Sequence, residues 1–208
     1  HTPNLSSGWK VREFEDAVCE YTGARYAVAF NGATSALFCA YSLIDKCTVY
    51  MNPVTFVATA NMARANGIIV RFRDDRPPKV LTSNPPQPLP WVSMHYAGRY
   101  AGPGIVEDAC HAFGSDSPYG KVGNCGGGTK ITVLGTHVIK NITTGEGGIA
   151  TTNDEVLAYR MRLMRSHGRD SNGVMIAMGY NFRMTDFQAA LGLSQLKKID
   201  DFRDDKYE

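Results

Sequence analysis

Short apolar runs alternate with segments of helical periodicity over the first third of the chain, and this alternation constrains the fold more than any other feature. Each apolar run is short enough to be a buried strand, and each periodic segment places apolar side chains three or four residues apart. The predicted strands cover residues 26–30, 48–52 and 67–72, and the predicted helices cover 9–21, a segment beginning near Ala33, and 56–66. Strands and helices in this order are typical of a parallel sheet covered by helices, so the predicted fold class is α/β.

The pattern changes after residue 74. Six of the ten prolines lie between residues 74 and 90, which excludes a helix there and predicts an extended loop. The remaining predicted elements are strands at 91–96, 104–108 and 130–134 and helices at 154–165 and 185–199. Only the stretch AGRYAGP joins the strands at 91–96 and 104–108, which is too short for a usual crossover helix. No repeat or linker divides the chain, so residues 1–208 are predicted to form one domain.

Composition excludes several classes of protein. Lys and Arg number 22 and Asp and Glu number 20, and no polybasic run breaks this balance, so a nucleic-acid partner or an anionic membrane surface is not expected. No apolar stretch approaches the roughly 20 residues that span a bilayer. The five cysteines are scattered without a CxxC pair, which predicts reduced thiols, a cytoplasmic location and no zinc site. The start HTPNLSSG lacks an initiator Met and the segments of a signal peptide, which suggests a trimmed or processed chain.

Two charged side chains are the strongest candidates for catalysis. Lys140 stands among apolar residues before a glycine-rich turn, where desolvation would favour the neutral amine that an imine-forming nucleophile needs. The alternative is a surface lysine at a strand end. Asp108 closes a predicted strand, at the edge where α/β sheets place ligands, and could hold a protonated ring nitrogen of a cofactor. Its alternative is an ordinary helix cap.

The neighbours of Asp108 also offer a metal site, which would use Glu107, Cys110 and His111 together with the aspartate. This alternative is disfavoured because no second ligand cluster of matching spacing occurs and adjacent residues point in divergent directions. No metal site is therefore predicted.

Three further segments could bind a planar, phosphorylated ligand. NGATSAL follows a strand and opens a helix, so free N–H groups and the hydroxyls of Thr34 and Ser35 could hold a phosphate. Phe56 follows another strand and could stack on a heteroaromatic ring or lie in the core. Asn181 and Arg183 precede an amphipathic helix, where they suit contact with an anion or form a solvated loop. A phosphate cradle, a stacking ring, a carboxylate and an amine together are the equipment of a pyridoxal-phosphate site.

Six ordered motifs resemble those of the DegT/StrS-type sugar aminotransferases. They are GARYAVAFNGATSAL, PVTFVATANM, VEDACHAFGS, HVIKNITTGEGG, RSHGR and GYNFRMTDFQAALGLSQL. The resemblance implies the fold type I large domain of pyridoxal-phosphate enzymes, with a mostly parallel mixed sheet flanked by helices. It also implies transfer of an amino group, usually from glutamate, to a nucleotide-linked keto sugar, in the subgroup that makes 4-amino-4,6-dideoxy hexoses.

Residue by residue, the resemblance implies a role for each matched position. Lys140 would be the Schiff-base lysine and proton shuttle, and Asp108 would pair with the pyridinium nitrogen. Phe56 would stack on one ring face and His111 would flank the ring. The remaining implied contacts are phosphate contacts from Ala33 and Thr34 near the helix start and from Asn181 of a neighbouring subunit, which would make the active unit a homodimer.

Three departures from the family pattern stand out. Gly135 replaces the usual phosphate-binding serine, so Thr136 or a water would have to substitute, and restoring serine should tighten cofactor binding if the hydroxyl reaches the phosphate. The crossover helix before Glu107 is absent, and the proline-rich loop is short. The resemblance covers the large domain only, which indicates a minimal form, a fragment, or half of a split enzyme whose second chain supplies the small domain.

Two other functions compete with amino transfer. One is another pyridoxal-phosphate reaction on a carbohydrate, such as dehydration, but dehydratase relatives typically replace the lysine with histidine and Lys140 argues against this. The other is a non-catalytic remnant that binds the cofactor, a nucleotide sugar or a partner subunit, and Gly135 favours it.

Overall fold

The structure, a computed structural model, describes residues 5–45, 48–74 and 90–204. Most of the helices and strands lie where the sequence predicts them; the predicted proline-rich loop lies largely outside the described residues. The helices are α1 Trp9–Thr22, α2 Ala33–Ser42, α3 Val57–Ala65, α4 Glu155–Arg165, α5 Asp186–Leu196 and α6 Ile199–Asp204. The strands are β1 Tyr26–Phe30, β2 Thr48–Met51, β3 Ile69–Phe72, β4 Trp91–Met94, β5 Val106–Asp108, β6 Asp116–Ser117, β7 Gly120–Lys121, β8 Ile131–Gly135 and β9 Gly148–Thr152.

Seven strands form one mixed sheet in the order β1-β9-β8-β5-β4-β2-β3. The pairs from β3 through β8 are parallel, and β9 runs antiparallel to both β1 and β8. The parallel strands therefore end at one edge of the sheet, where Asp108 closes β5 and Gly135 closes β8. The remaining two strands, β6 and β7, form a separate hairpin. The predicted α/β class, with a mostly parallel sheet flanked by helices, is confirmed.

The connection from β4 to β5 contains no crossover helix, as the sequence predicts. A single 3₁₀ turn, Tyr96–Gly98, follows β4, and the chain then returns directly to the next strand. Gly104 allows this close return, because a Cβ there would lie 2.8 Å from the backbone of both Ser93 and Trp91.

Two clusters of buried side chains cover the two faces of the sheet. One packs α2, α3 and α4 against residues such as Val28, Val92 and Val106. The other packs α1 and α5 against residues such as Leu134 and Ile149. Because side chains alternate along a strand, successive residues of β5 point to opposite faces of the sheet.

Helix caps set two helix starts, and the sequence misplaces one helix end. The Asp154 carboxylate accepts the N–H groups of Val156 and Leu157, and Thr185 forms a reciprocal capping box with Gln188. The helix predicted over 185–199 is interrupted after Leu196, and α6 begins at Ile199. The apolar periodicity continues across this break, which is why the pattern predicts a single helix.

Candidate active site

A cavity of about 420 Å³ opens at the edge of the sheet where the parallel strands end. Six of the eight predicted site residues line it: Ala33, Thr34, Phe56, Asp108, His111 and Lys140. They come from four separate segments of the chain, and the parallel topology brings these segments to one place. Gly135, Cys110, His137 and Glu146 line the same cavity.

Asp108 is held in one orientation at the cavity wall. The residue is 2% exposed, the Thr59 hydroxyl donates to its Oδ2 at 2.6 Å, and the Cys110 N–H donates to its Oδ1 at 3.1 Å. No helix follows directly after β5, so the carboxylate caps a turn and not a helix. A fixed, buried carboxylate of this kind can bind a cationic N–H group of a ligand.

Lys140 lies in the turn after β8, and its half-buried side chain lines the same cavity as Asp108. Its backbone N–H donates to the carbonyl of His137 at 2.9 Å, which closes the turn. Burial and the positive charge of Lys140 lower the pKa of His111, although the negative charge of Asp108 acts in the opposite direction. The charge of Lys140 therefore acts on a neighbouring residue of the cavity. His111 therefore favours its neutral form beside an amine and a carboxylate.

The start of α2 faces the cavity as a group of backbone donors. Gly32 precedes the helix, and no side chain caps it. The Ser35 hydroxyl bonds to the Asn31 side chain at 2.8 Å, which leaves the Thr34 side chain as the one of the two predicted hydroxyls that lines the cavity. Gly148 allows β9 to pack directly on this helix start, since a Cβ there would collide with the Ala33 backbone. Uncapped N–H groups at a helix start are suited to binding a phosphate.

Phe56 immediately precedes α3 and is 63% exposed. A ring in the hydrophobic core would be buried, so the structure does not support the alternative that Phe56 is a core residue. The ring instead lines the cavity, where it could stack on a planar ligand.

Gly135 and Cys110 pack against each other at the cavity wall. A Cβ added to Gly135 would lie 3.1 Å from the Cys110 Cβ and 3.2 Å from its Sγ, so the thiol fills the space that a side chain at position 135 would need. Burial raises the pKa of the Cys110 thiol well above its ordinary value, which keeps it neutral.

Two predicted cofactor contacts lie outside the cavity lining. The Thr136 hydroxyl is buried and lies 2.7 Å from that of Thr144, and its substitution for the missing serine stays a prediction. Asn181 is exposed outside the cavity, and its carbonyl accepts a hydrogen bond from the Asn31 side chain at 3.4 Å.

His137 and Glu146 are cavity residues that the sequence analysis did not single out. The His137 Nε2 and Glu146 Oε1 atoms lie 3.5 Å apart, and both side chains are partly exposed at the cavity. Both residues belong to the segment HVIKNITTGEGG, on either side of Lys140, and this position is the only sequence feature that could have indicated them. The turn then brings the two side chains together.

Other candidate sites have fewer groups suited to catalysis or metal binding. Glu107 points to the opposite face of β5 from Asp108, where Thr129 and Thr132 donate to it at 2.6 and 2.8 Å, so the two carboxylates do not converge on a metal. Among the described residues there is no group of three or more potential metal ligands. A larger groove, of about 960 Å³, lies beside α1 and has the Arg165–Glu15 ion pair at its wall. Of the two residues that the sequence suggests for anion contact, Arg183 lines this groove and Asn181 does not. Within the described ranges, no helix has both the length and the apolar character to cross a membrane.

Comparison with known proteins gives a family that agrees with this geometry. Residues 2–84 and 96–208 match the DegT/DnrJ/EryC1/StrS aminotransferase family. The chain belongs to this family. It is 35% identical, over 94% of its length and 58% of the relative's, to a UDP-4-amino-4,6-dideoxy-N-acetyl-beta-L-altrosamine transaminase of Campylobacter jejuni subsp. jejuni serotype O:23/36 (strain 81-176).

Solved structures of relatives show the same fold. Helicobacter pylori PseC, an aminotransferase involved in the biosynthesis of pseudoaminic acid, superposes with a TM-score of 0.80 at 35% identity, over 94% of this chain and 59% of PseC. DesI, solved in the presence of its TDP-sugar product, superposes with a TM-score of 0.78 at 30% identity, over 95% of this chain and 55% of that one. The chain thus spans somewhat more than half the length of the relatives it matches.

The donor set in the cavity fits pyridoxal phosphate, the cofactor that the family's fold implies. A primary amine suits the aldehyde, a buried carboxylate suits the ring nitrogen, and an exposed aromatic ring suits the ring face. The uncapped start of α2 suits the phosphate, and Gly148 keeps this helix start packed on β9. Each function of the cofactor therefore has a matching group in the cavity.

Proposed function

We propose that this chain forms the cofactor-binding part of a pyridoxal-phosphate-dependent aminotransferase that moves an amino group, from glutamate, onto a nucleotide-linked keto sugar. The observation that carries the proposal is the convergence of Lys140, Asp108 and Phe56 with the start of α2 on one cavity. The relatives named above as a transaminase and as an enzyme with a TDP-sugar product support the substrate class.

Each cavity residue has a distinct task in this proposal. Pyridoxal phosphate, when bound, supplies an electron sink for bond changes at the carbon that carries the amino group. The Lys140 Nζ would hold the cofactor at its aldehyde carbon, with release of water, and once released from it would carry a proton to and from the reacting carbon. Asp108 holds the proton on the ring nitrogen, because a buried carboxylate favours a neighbouring positive charge.

The remaining groups bind and orient. The N–H groups at the start of α2 and the Thr34 hydroxyl hold the phosphate, and Phe56 holds one face of the ring. His111 flanks the ring in its neutral form, so it adds no positive charge that would compete with the Lys140 amine. With glycine at position 135, the phosphate depends more heavily on α2.

The proposal includes a shared site in a homodimer. Asn181 is exposed and outside its own cavity, so its side chain is available to the phosphate site of a second copy. A two-fold arrangement would supply both sites through one self-complementary interface.

Cofactor uptake tests the proposal directly. The purified chain is incubated with pyridoxal phosphate and dialysed, and we expect a visible absorbance band that changes when glutamate is added and returns when a keto acid replaces it. Lys140→Ala should lose the band, whereas the matched control Lys130→Ala, at an exposed lysine just before β8, should keep it. A parent protein that never retains the cofactor would favour a non-catalytic chain that binds a nucleotide sugar or a partner subunit, and one that retains it without responding to glutamate would favour a non-catalytic chain that binds the cofactor.

A further inference from the structure

Thr59 is a buried hydroxyl whose position the proposed mechanism does not use. It lies in the first turn of α3, three residues after Phe56, and is 0% exposed. Its hydroxyl donates to Asp108 Oδ2 at 2.6 Å, which is a short bond to a charged acceptor. The partner is 49 residues further along the chain, so tertiary packing alone creates this contact.

A second hydroxyl extends the Thr59 bond. The Thr55 hydroxyl, two residues before α3 begins, donates to the Thr59 Oγ1 at 2.9 Å. An ionised carboxylate only accepts hydrogen bonds, so Thr59 gives its one proton to Asp108 and its oxygen accepts from Thr55. The two threonines therefore form a directed chain of hydrogen bonds that ends on the carboxylate.

The same helical turn carries the aromatic ring of the cavity. The Thr59 N–H donates to the Phe56 carbonyl at 3.1 Å, so the hydroxyl and the ring are parts of one rigid unit. The Cys110 N–H holds the other carboxylate oxygen at 3.1 Å. Asp108 is thus fixed from α3 on one side and from its own turn on the other.

From this geometry, and on the basis of the proposed function, we infer that Thr59 is a positioning residue that aims the Asp108 carboxylate at the cofactor's ring nitrogen. The Thr59 hydroxyl links α3, which follows Phe56, to Asp108. It thereby fixes the side chain that stacks on the cofactor ring relative to the carboxylate that contacts the ring nitrogen. Thr59 itself does not line the cavity, so it acts only through Asp108.

The test compares four variants reconstituted with pyridoxal phosphate labelled with ¹⁵N in the ring. Thr59→Val removes the hydroxyl at nearly constant volume, and Thr59→Ser retains it. Thr55→Val removes only the outer hydroxyl of the chain. Thr22→Val is the matched control, since Thr22 is 3% exposed and bonds only to the backbone of its own helix end. Far-UV circular dichroism verifies that each variant is folded.

We expect Thr59→Val to shift the ring ¹⁵N resonance at neutral pH toward the unprotonated position and to weaken cofactor binding about tenfold. Thr59→Ser should restore the parent resonance and affinity, Thr55→Val should produce a smaller shift in the same direction, and Thr22→Val should produce none. A folded Thr59→Val protein with the parent's resonance and affinity overturns the inference and leaves the proposed function standing. A parent that does not bind the cofactor overturns both, and a Thr59→Ser protein that resembles Thr59→Val assigns the threonine a packing role only.

Discussion

Replacing Gly135 by serine should have two opposing effects, a new hydrogen bond to the phosphate and crowding against Cys110. The sequence alone predicts tighter cofactor binding by about 1 kcal/mol, the net value of one new hydrogen bond to the phosphate. In the structure, the new Cβ would lie 3.1 Å from the Cys110 Cβ and 3.2 Å from its Sγ, against an optimal separation of roughly 3.5–4.0 Å. Overpacking of this kind typically costs about 1–3 kcal/mol, so the steric term should win.

The Cys110→Ala substitution tests this balance because it removes the sulfur and leaves the turn backbone in place. We expect Gly135→Ser to lower the free energy of unfolding by about 1–3 kcal/mol without tightening cofactor binding. In the double variant, loss of the Sγ contact should relieve part of the cost, whereas the contact with the Cβ at position 110 remains, so affinity should rise above that of Gly135→Ser alone.

Urea unfolding followed by circular dichroism, together with cofactor titration, completes the double-mutant cycle. The expected coupling between the two positions in unfolding free energy exceeds about 0.5 kcal/mol, the scatter seen for independent sites. The steric reasoning would be refuted if Gly135→Ser were as stable as the parent. It would also be refuted if the changes in unfolding free energy of the two single variants simply added in the double variant.

Three further predictions follow from the cavity. Asp108→Asn should retain the cofactor but slow transamination at least about tenfold, because the amide lacks the charge that favours a protonated ring nitrogen; equal stopped-flow rates would remove Asp108 from the site. Mixing inactive Lys140→Ala chains with inactive Asn181→Ala chains should restore some activity, since one site of the mixed dimer keeps both residues; no recovery after verified subunit exchange would exclude a shared site. The pKa of His111 is lowered from 6.5, so the unfolded chain takes up this proton first as the pH falls, and stability should decline below about pH 6.5; urea midpoints measured between about pH 5 and 7 should fall less for His111→Gln than for the parent.

The sequence is sufficient to predict the part of the cavity that depends on strand ends. Asp108 closes a parallel strand, and Thr34 lies in the first turn of the helix that follows β1, which runs in the same direction as β8 because both pair antiparallel with β9. A parallel sheet brings such positions to one edge whatever the details of packing. Lys140 could be placed near them only through the family resemblance, since it lies in an irregular turn that no periodicity describes.

The contacts between side chains required the tertiary structure. Thr59 lies in a helix of mostly small and apolar residues, and nothing in its local pattern indicates a bond to a carboxylate 49 residues away. The reciprocal packing of Gly135 and Cys110 is non-local for the same reason. The antiparallel strand β9, GIATT, was also missed, because small and β-branched residues after a glycine-rich turn give no strong strand signal.

The short connection between β4 and β5 packs near the face of the sheet to which Glu107 points. Glu107 points to that face, where it meets two threonine hydroxyls and the His95 Nε2 atom at 3.4 Å. The ring of Tyr100, from the short connection itself, packs on His95 with ring centres 4.7 Å apart. A buried polar network and the returning chain thus cover part of this face beside β4 and β5. Asp108, one residue later, points to the other face and contacts α3, so the two adjacent carboxylates belong to separate hydrogen-bond networks and the short connection does not contact the group that faces the cavity.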